Sequence, residues 1–160
     1  MTRAAHYGGT VSIRLSDDEA WRVLADSHTG ILTSLRRDGV PVSLPVWFVV
    51  DGRTILVAGP SSSYKFLRLR RDPRVAFLVE SGQAWKDLTA VHLIGVAEMV
   101  DQPDWDSVDE RFDAKYANFR TARADMPASA RARYDGSRSL VRLTPTERLL
   151  TWDNRRLEGR

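Results

Sequence analysis

Two short stretches of this 160-residue chain gather residue types that do chemistry. The first is Gly59-Pro-Ser-Ser-Ser-Tyr-Lys65, placed where an apolar run ends and a helical pattern begins. Free amides at a helix N-terminus, the hydroxyls of Ser61, Ser62 and Ser63, and the Lys65 ammonium together describe a cradle for a phosphate. The same residues also describe a plain serine cap beside a solvated lysine. The second stretch is Pro45-Val46-Trp47-Phe48. A planar aromatic ligand needs an apolar wall and exposed backbone groups, and a proline-interrupted strand offers both. Alternatively Trp47 and Phe48 fill a core or a subunit interface; successive strand residues face opposite ways, so one of the two does so.

Other catalytic patterns are missing. His6, His28 and His92 lie far apart and in different contexts, which does not suggest a metal motif. The chain has no Gly-x-Ser-x-Gly, no phosphate-loop Gly-Lys-Ser/Thr and no dinucleotide-binding glycine fingerprint. Asp104, Asp106, Asp109 and Asp113 track the polar side of a helical stripe, where solvation accounts for them. No residue is assigned as a catalytic acid, base or nucleophile. With no cysteine, disulfides and thiolate chemistry are excluded.

The surrounding pattern says what must hold the two stretches. Ser16-Asp-Asp-Glu19 is a capping box with an acidic first turn, and Trp21, Leu24, Ala25 and His28 follow at helical spacing. Residues 16–28 read as an amphipathic helix ended by Gly30. From Gly30 the period becomes two. Ile31–Arg36, Val42–Val50 and Thr54–Val57 are apolar, β-branched runs separated by Asp38-Gly39 and Asp51-Gly52, dipeptides that favour two-residue hairpin turns. The spacing predicts a three-stranded antiparallel meander. Pro41 and Pro45 cannot donate ladder hydrogen bonds, so its middle strand must be bulged or lie at an edge. A short helix over about 63–71 ends before Asp72-Pro73, Arg74–Glu80 is a strand, and Trp85–Val100 is a long strand with a bulge expected at Gly95.

After Val100 the period changes again. Pro103 opens a helix over 103–118 with the stripe Trp105, Val108, Phe112 and Tyr116, and a second helix runs from Met126 or Pro127 to Tyr134. Ser139–Leu143 and Glu147–Trp152 alternate and complete the sheet. The expected architecture is one domain over residues 1–160, mainly β with α. It is a six- to seven-stranded antiparallel barrel with flanking helices and a helical extension at about 103–134.

Composition narrows the partners. Of the 24 basic residues only Lys65, Lys86 and Lys115 are lysines, yet 21 acidic residues hold the formal net charge to +3. A duplex-binding surface would neutralise several phosphates on one face. Here aspartates are scattered among the arginines, although Arg68, Arg70, Arg71 and Arg74 leave a nucleic-acid patch as a third reading. Residues 1–6 lack an apolar signal core and no run of about 18 apolar residues occurs. The expectation is a cytoplasmic protein with no membrane partner.

Taken in order, several segments resemble the pyridoxamine 5′-phosphate oxidase-like superfamily, flavin and deazaflavin oxidoreductases with a split β-barrel fold. They are the capped helix, Gly30-Ile-Leu-Thr-Ser-Leu35, Asp38-Gly39, Pro45-Val-Trp-Phe48, Ser63-Tyr-Lys65, Leu67-Arg-Leu-Arg-Arg-Asp-Pro-Arg-Val75, Gly95-Val-Ala97 and Leu150-Thr-Trp-Asp153. The resemblance covers roughly residues 14–153 and rests on order and spacing. It implies a split barrel, and a homodimer with the cofactor in clefts at the subunit interface. It also implies an oxidoreductase that moves hydride to or from a small conjugated substrate, with the deazaflavin F420 favoured and FMN the alternative.

By the same resemblance, Ser62, Ser63 and Lys65 would hold the cofactor phosphate. The ring would lie against the backbone of Val46, Trp47 and Phe48, with Val57 and Ala58 nearby. Other members commonly carry a hydroxyl residue where this chain has Val57-Ala58. Arg68 and Arg71 would serve an oligoglutamate tail or form a solvated basic face, and Tyr116 and Arg120 would reach a substrate. A flavin-type cofactor carries its own hydride chemistry, which fits the lack of an acid–base constellation. Non-enzymatic sequestration of a flavin, deazaflavin, haem or other planar ligand is the alternative. Pyridoxamine phosphate oxidation is less favoured, because the chain is shorter than typical members and no matching set of pyridoxal phosphate-binding residues is present.

Overall fold

The computed structural model describes residues 12–157, so His6 lies outside the described residues. The capping box forms as expected: the Ser16 N–H donates to Glu19 Oε2 at 2.7 Å and the Glu19 N–H to Ser16 Oγ at 3.3 Å. The helix it opens, α1 (Asp17–Asp26), buries Ala20, Trp21 and Leu24. It stops at Ser27, before His28, because the Ser27 backbone turns extended and its hydroxyl bonds back to the Val23 carbonyl at 2.7 Å.

Strands β1 (Gly30–Leu35) and β2 (Pro41–Val46) form a hairpin. Its loop is one residue longer than expected: the Arg36 N–H donates to the Val40 carbonyl, with Gly39 at φ +82°. Strands β3 (Val49–Asp51) and β4 (Thr54–Pro60) form a second hairpin around Gly52-Arg53, with Gly52 at φ +60°. Next come α2 (Tyr64–Arg71), β5 (Arg74–Ser81), β6 (Thr89–Met99), α3 (Trp105–Tyr116), α4 (Ala128–Tyr134), β7 (Arg138–Pro145) and β8 (Leu150–Asp153). Residues Trp85–Asp87, expected in the long strand, form a 3-10 turn before β6.

All eight strands belong to one antiparallel sheet in the order β2-β1-β5-β6-β7-β4-β3, with β8 pairing β6. The expected meander is therefore overturned. The run Val42–Val50 breaks at Trp47-Phe48 into two strands at opposite ends of the sheet. Val46 and Val49 are three Cα steps apart, a reach of at most about 11 Å. A sheet whose two end strands are joined this closely must curl on itself, which makes the split barrel. Pro41 and Pro45 sit on edge strand β2, where a missing N–H breaks no second ladder.

The barrel interior is packed by Phe48, Ile55, Val57, Phe66, Phe77, Leu93 and Leu143, each essentially inaccessible. A second, smaller cluster lies outside, where Val108, Phe112 and Tyr116 of α3 cover Val49, Leu56 and Leu140. Two ion-pair sets fasten that cover. Asp51 accepts from Arg111 of α3 at 2.6 Å and from Arg142 of β7 at 2.8 Å, and Asp109 pairs with Arg138. Arg142, then Arg111, holds the Asp51 carboxyl below the usual range.

Gly95 is not a bulge, because the β5–β6 register runs unbroken from Arg74↔Val96 to Ser81↔Thr89. It marks a close approach: a Cβ there would lie 2.1 Å from the Thr144 carbonyl oxygen. Backbone cannot step aside as a side-chain tip can, so Gly95→Ala should destabilise the fold by about 2–4 kcal/mol. Urea denaturation followed by tryptophan fluorescence checks this, and a loss under about 0.5 kcal/mol would contradict the close approach.

Candidate functional site

The strand-to-helix junction after β4 opens a cleft of about 390 Å³. One side is the end of β4 and the first turn of α2, contributing Pro60, Ser62, Ser63, Tyr64 and Lys65. The facing side is Leu44 of edge strand β2, and Arg133 of α4 closes the rim. The cleft thus occupies the split between the barrel's two diverging edges.

Ser63 sits at the N-cap position of α2, but its hydroxyl makes no capping hydrogen bond. The plain serine cap is not what forms. Ser61 turns away, its hydroxyl bonded to Ser139 Oγ at 2.8 Å, which leaves Ser62 and Ser63 on the cleft wall. Lys65 is half-buried, and its ammonium lies over the Phe66 ring at 4.8 Å. Gly59 makes room for it, since a Cβ there would stand 3.3 Å from Nζ. Among the described residues Lys65 has no carboxylate partner. Burial, and then the neighbouring Arg68, holds its pKa below the usual lysine range. Arg68 lies beneath: its Nε donates to Ser34 Oγ at 2.8 Å, while Nη2 is buried with no hydrogen-bond partner. Two cations thus lie close together with no acidic partner among the described residues, an arrangement whose chemistry suits an anion.

The second stretch forms the corner between β2 and β3. Val46 and Phe48 point inward and are buried. Trp47 points outward, 37% exposed, and stacks on Tyr116 with ring centroids 4.5 Å apart and planes 2° from parallel. Tyr116 is not a substrate contact as expected, because it is completely buried. Its hydroxyl accepts from the Phe48 N–H at 3.0 Å and shares its own proton between the carbonyls of Phe48 and His28, each 2.8 Å away. Both backbone polar groups of Phe48 are therefore taken. Arg120 is likewise engaged elsewhere, paired with Asp113 at 2.7 Å.

Of the residues singled out from sequence, Ser62, Ser63 and Lys65 come together on the cleft, with Arg68 beneath. Val46, Trp47 and Phe48 form the corner between β2 and β3 and are not among the residues that line the cleft. Val57 is fully buried in the barrel core, and Ala58 packs on the α3 cluster; neither lines the cleft. The basic patch suggested for nucleic acid is spoken for: Arg70 bonds Ser139, Arg71 the Leu35 carbonyl and Arg74 the Asp72 carboxylate. Arg71 consequently lies away from the cleft. Pro60 and Tyr64 belong to the stretch Gly59–Lys65 but were given no role, and Leu44 and Arg133 were not singled out. Leu44 adjoins Pro45, whereas nothing local marks Arg133, which is carried by α4, an element in contact with β4.

Behind the corner, Lys115 lies over the Phe48 ring at 3.9 Å, its Nζ buried without a hydrogen-bond partner. Burial outweighs the nearby Asp26 and brings its pKa down to about 8. A lysine depressed in the fold binds fewer protons there than when unfolded, so stability rises as pH climbs from about 8 toward the ordinary value of 10.5. Lys115→Met should be more stable than wild type by about 1–2 kcal/mol at pH 7, and should lack the extra gain above pH 8. Denaturation midpoints across that range read the difference, and parallel pH profiles would refute it. Tyr116→Phe keeps the stack but strands buried backbone groups; a loss of about 1–3 kcal/mol is expected in chemical denaturation, and no loss would show that the phenol is dispensable.

The family model described as pyridoxamine 5′-phosphate oxidase matches residues 16–152. Among solved structures, a conserved hypothetical protein of Mycobacterium tuberculosis is similar over 94% of this chain and 92% of its own, at 29% identity and a TM-score of 0.74. The haem storage protein HutZ of Vibrio cholerae shares the fold at 15% identity and a TM-score of 0.65, covering 85% of this chain and 94% of its own. An F420 reductase does so at 21% identity and a TM-score of 0.60, covering 79% and 92%. With the match running from the α1 cap into β8, on a split barrel of this strand order, the chain belongs to the pyridoxamine 5′-phosphate oxidase family.

Proposed function

We propose that this protein is an oxidoreductase that binds the deazaflavin F420, with FMN as the alternative, and moves hydride to or from a small conjugated substrate. The observation that carries the reading is Lys65 at the uncapped start of α2, with the buried, orphaned Nη2 of Arg68 one turn farther along the helix. Ser62 and Ser63 add hydroxyl donors on the same wall. This donor set fits a phosphate. The bound deazaflavin or flavin ring would supply the hydride chemistry. The protein's own work is to hold the phosphate at Lys65, to present the Val46–Trp47 edge beside the cleft, and to keep that edge rigid through Tyr116. The family match and the fold shared with an F420 reductase support the choice.

The reading includes a homodimer. On the outer face of β1, β5 and β6, Ile31, Leu78, Ile94 and Val96 form an apolar band that the monomer leaves partly exposed. A second copy seated there would cover it. The alternative reading is a binding protein for haem or another planar ligand without turnover, which the fold shared with a haem storage protein favours. No helix among the described residues is long and apolar enough to cross a membrane.

The test is titration of the purified protein with F420 and with FMN, followed by absorbance and fluorescence, with sedimentation of the same samples. Saturable binding to a dimer is expected, weakened about 10- to 100-fold in Lys65→Ala. In wild type the affinity should fall as pH rises through the depressed Lys65 pKa, since the neutral amine loses its charge attraction for the phosphate. Absence of binding by either cofactor at high micromolar concentration sinks the reading. Binding without oxidation or reduction of any quinone, enone or tetrapyrrole acceptor, above a free-cofactor control, transfers it to the sequestration alternative.

A further inference from the structure

The fold carries one buried charge that costs it stability at neutral pH. Lys115 of α3 is half-buried, and its Nζ is inaccessible, makes no hydrogen bond among the described residues and lies 3.9 Å from the centre of the Phe48 ring. The Tyr116 ring is the second it faces, at 5.4 Å. Aromatic faces attract a cation but replace only part of its hydration. Burial accordingly brings its pKa down to about 8.

A structural duty does not account for this charge. α1 ends near it with no basic residue in its last turn, and a lysine from another element could serve there instead. Yet Lys115 Nζ bonds none of that helix's carbonyls, and the Val23 carbonyl is already taken by the N–H and hydroxyl of Ser27. Asp26 favours the ammonium through space, without a hydrogen bond. Arg111, one turn back on α3, is paired with Asp51 of β3; the Tyr116 phenol is bonded to backbone, and His28 meets the Tyr116 ring edge-on at 5.2 Å. A methionine of similar length would fill the same space at lower cost. What only the lysine brings to the Val46–Phe48 corner is positive charge, shielded from solvent and therefore little screened.

Hydride chemistry gives such a charge a use. A hydride brings two electrons and one proton to the ring that receives it, so the ring gains one negative charge until a second proton follows. A buried cation near that ring favours the reduced form over the oxidised one. Lys65 and Arg68 do not discriminate in this way, because the phosphate they suit carries the same charge in both forms.

We propose that Lys115 sets the redox balance of the bound cofactor: its ammonium, held against the Phe48 ring, stabilises the added negative charge of the reduced ring, so the protein binds the reduced form more tightly than the oxidised one. The inference rests on the flavin-type reading above, with the ring at the Val46–Trp47 edge, and it requires no contact between Lys115 and the ligand.

The experiment measures dissociation constants of FMN and F420, oxidised and chemically reduced under anaerobic conditions, for wild type, Lys115→Met, Lys115→Arg and Asp26→Asn between about pH 7 and 9.5. The quantity read is the oxidised-to-reduced ratio of the constants, in which a loss of affinity common to both forms cancels. At pH 7 Lys115→Met should lower that ratio about tenfold, equivalent to about 30 mV in the potential of the bound two-electron couple. Divided by the Lys115→Met ratio at the same pH, which removes the cofactor's own protonation, the wild-type ratio should decline above about pH 8 as the ammonium is lost. Lys115→Arg stays charged throughout and should hold the ratio without the decline. Asp26→Asn removes a charge that favours the ammonium and should move the decline to lower pH.

A ratio unchanged in Lys115→Met, with both redox forms weakened equally or not at all, overturns the proposal and leaves Lys115 a packing residue. A wild-type excess that stays flat across the pH range overturns it too. If Lys115→Arg does not fold, the Lys115→Met ratio and the Asp26→Asn shift decide the matter. Failure of wild type to bind either cofactor in either form sinks the flavin-type reading itself, and the proposal with it.

Discussion

A single phenol holds the two edges of this barrel in relation to each other. The Tyr116 hydroxyl accepts the Phe48 N–H and shares its proton between the Phe48 and His28 carbonyls, all within 3.0 Å. Phe48 lies in the two-residue corner between β2 and β3, the two ends of the sheet, and His28 just precedes β1. The corner has no ladder to join, so its backbone groups need another partner. Tyr116 supplies it from α3, stacks Trp47 against its own ring, and meets the edge of the His28 ring at 5.2 Å. The anchor thus ties the corner that joins the two end strands both to α3 and to the segment that leads into β1.

Electrostatics divides the surface in two. Outside the cleft, arginines and aspartates close on one another, most of them in exposed pairs that contribute little to stability one by one. Ten of the nineteen arginines among the described residues are paired with a carboxylate in this way. The pairs joining α3 to β3 and β7 are the exception in position, since they fasten the cover through which Tyr116 acts. Around the cleft the pattern reverses: Lys65, Arg133 and one nitrogen of Arg68 face no acid. Scattered positive charge and a high isoelectric point thus coexist with a sharply localised site.

Much of this was legible in the sequence. The capping box, the Gly39 and Gly52 turns, the edge prolines and the apolar stripe of α3 each have a local cause, and each element formed close to where that cause placed it. The grouping of Ser62, Ser63 and Lys65 on one cleft wall was legible for the same reason, because they are neighbours in the chain. What could not be read was which edges meet. Val42–Val50 alternates like one strand, and nothing within it says that a tyrosine nearly seventy residues on will break it at Trp47-Phe48. Gly95 looked like a bulge because a strand glycine signals either a bulge or a close approach, and only the position of Thr144 decides between them. Tyr116 was noticed for the right helix and given the wrong neighbour: its spacing shows a buried stripe, but the hydroxyl's partners lie on other elements.

The order in which the cleft comes into being follows from its parts. Leu44 belongs to the first hairpin, Lys65 to the helix after the second, and Arg133 to an element docked on β4 from much farther along the chain. Contacts of such sequence separation form late, after local hairpins and helices. No partly folded species with only the hairpins in place can offer the complete cleft. A ligand that spans it would bind the closed barrel and not its precursors, adding its binding free energy to the stability of the finished fold.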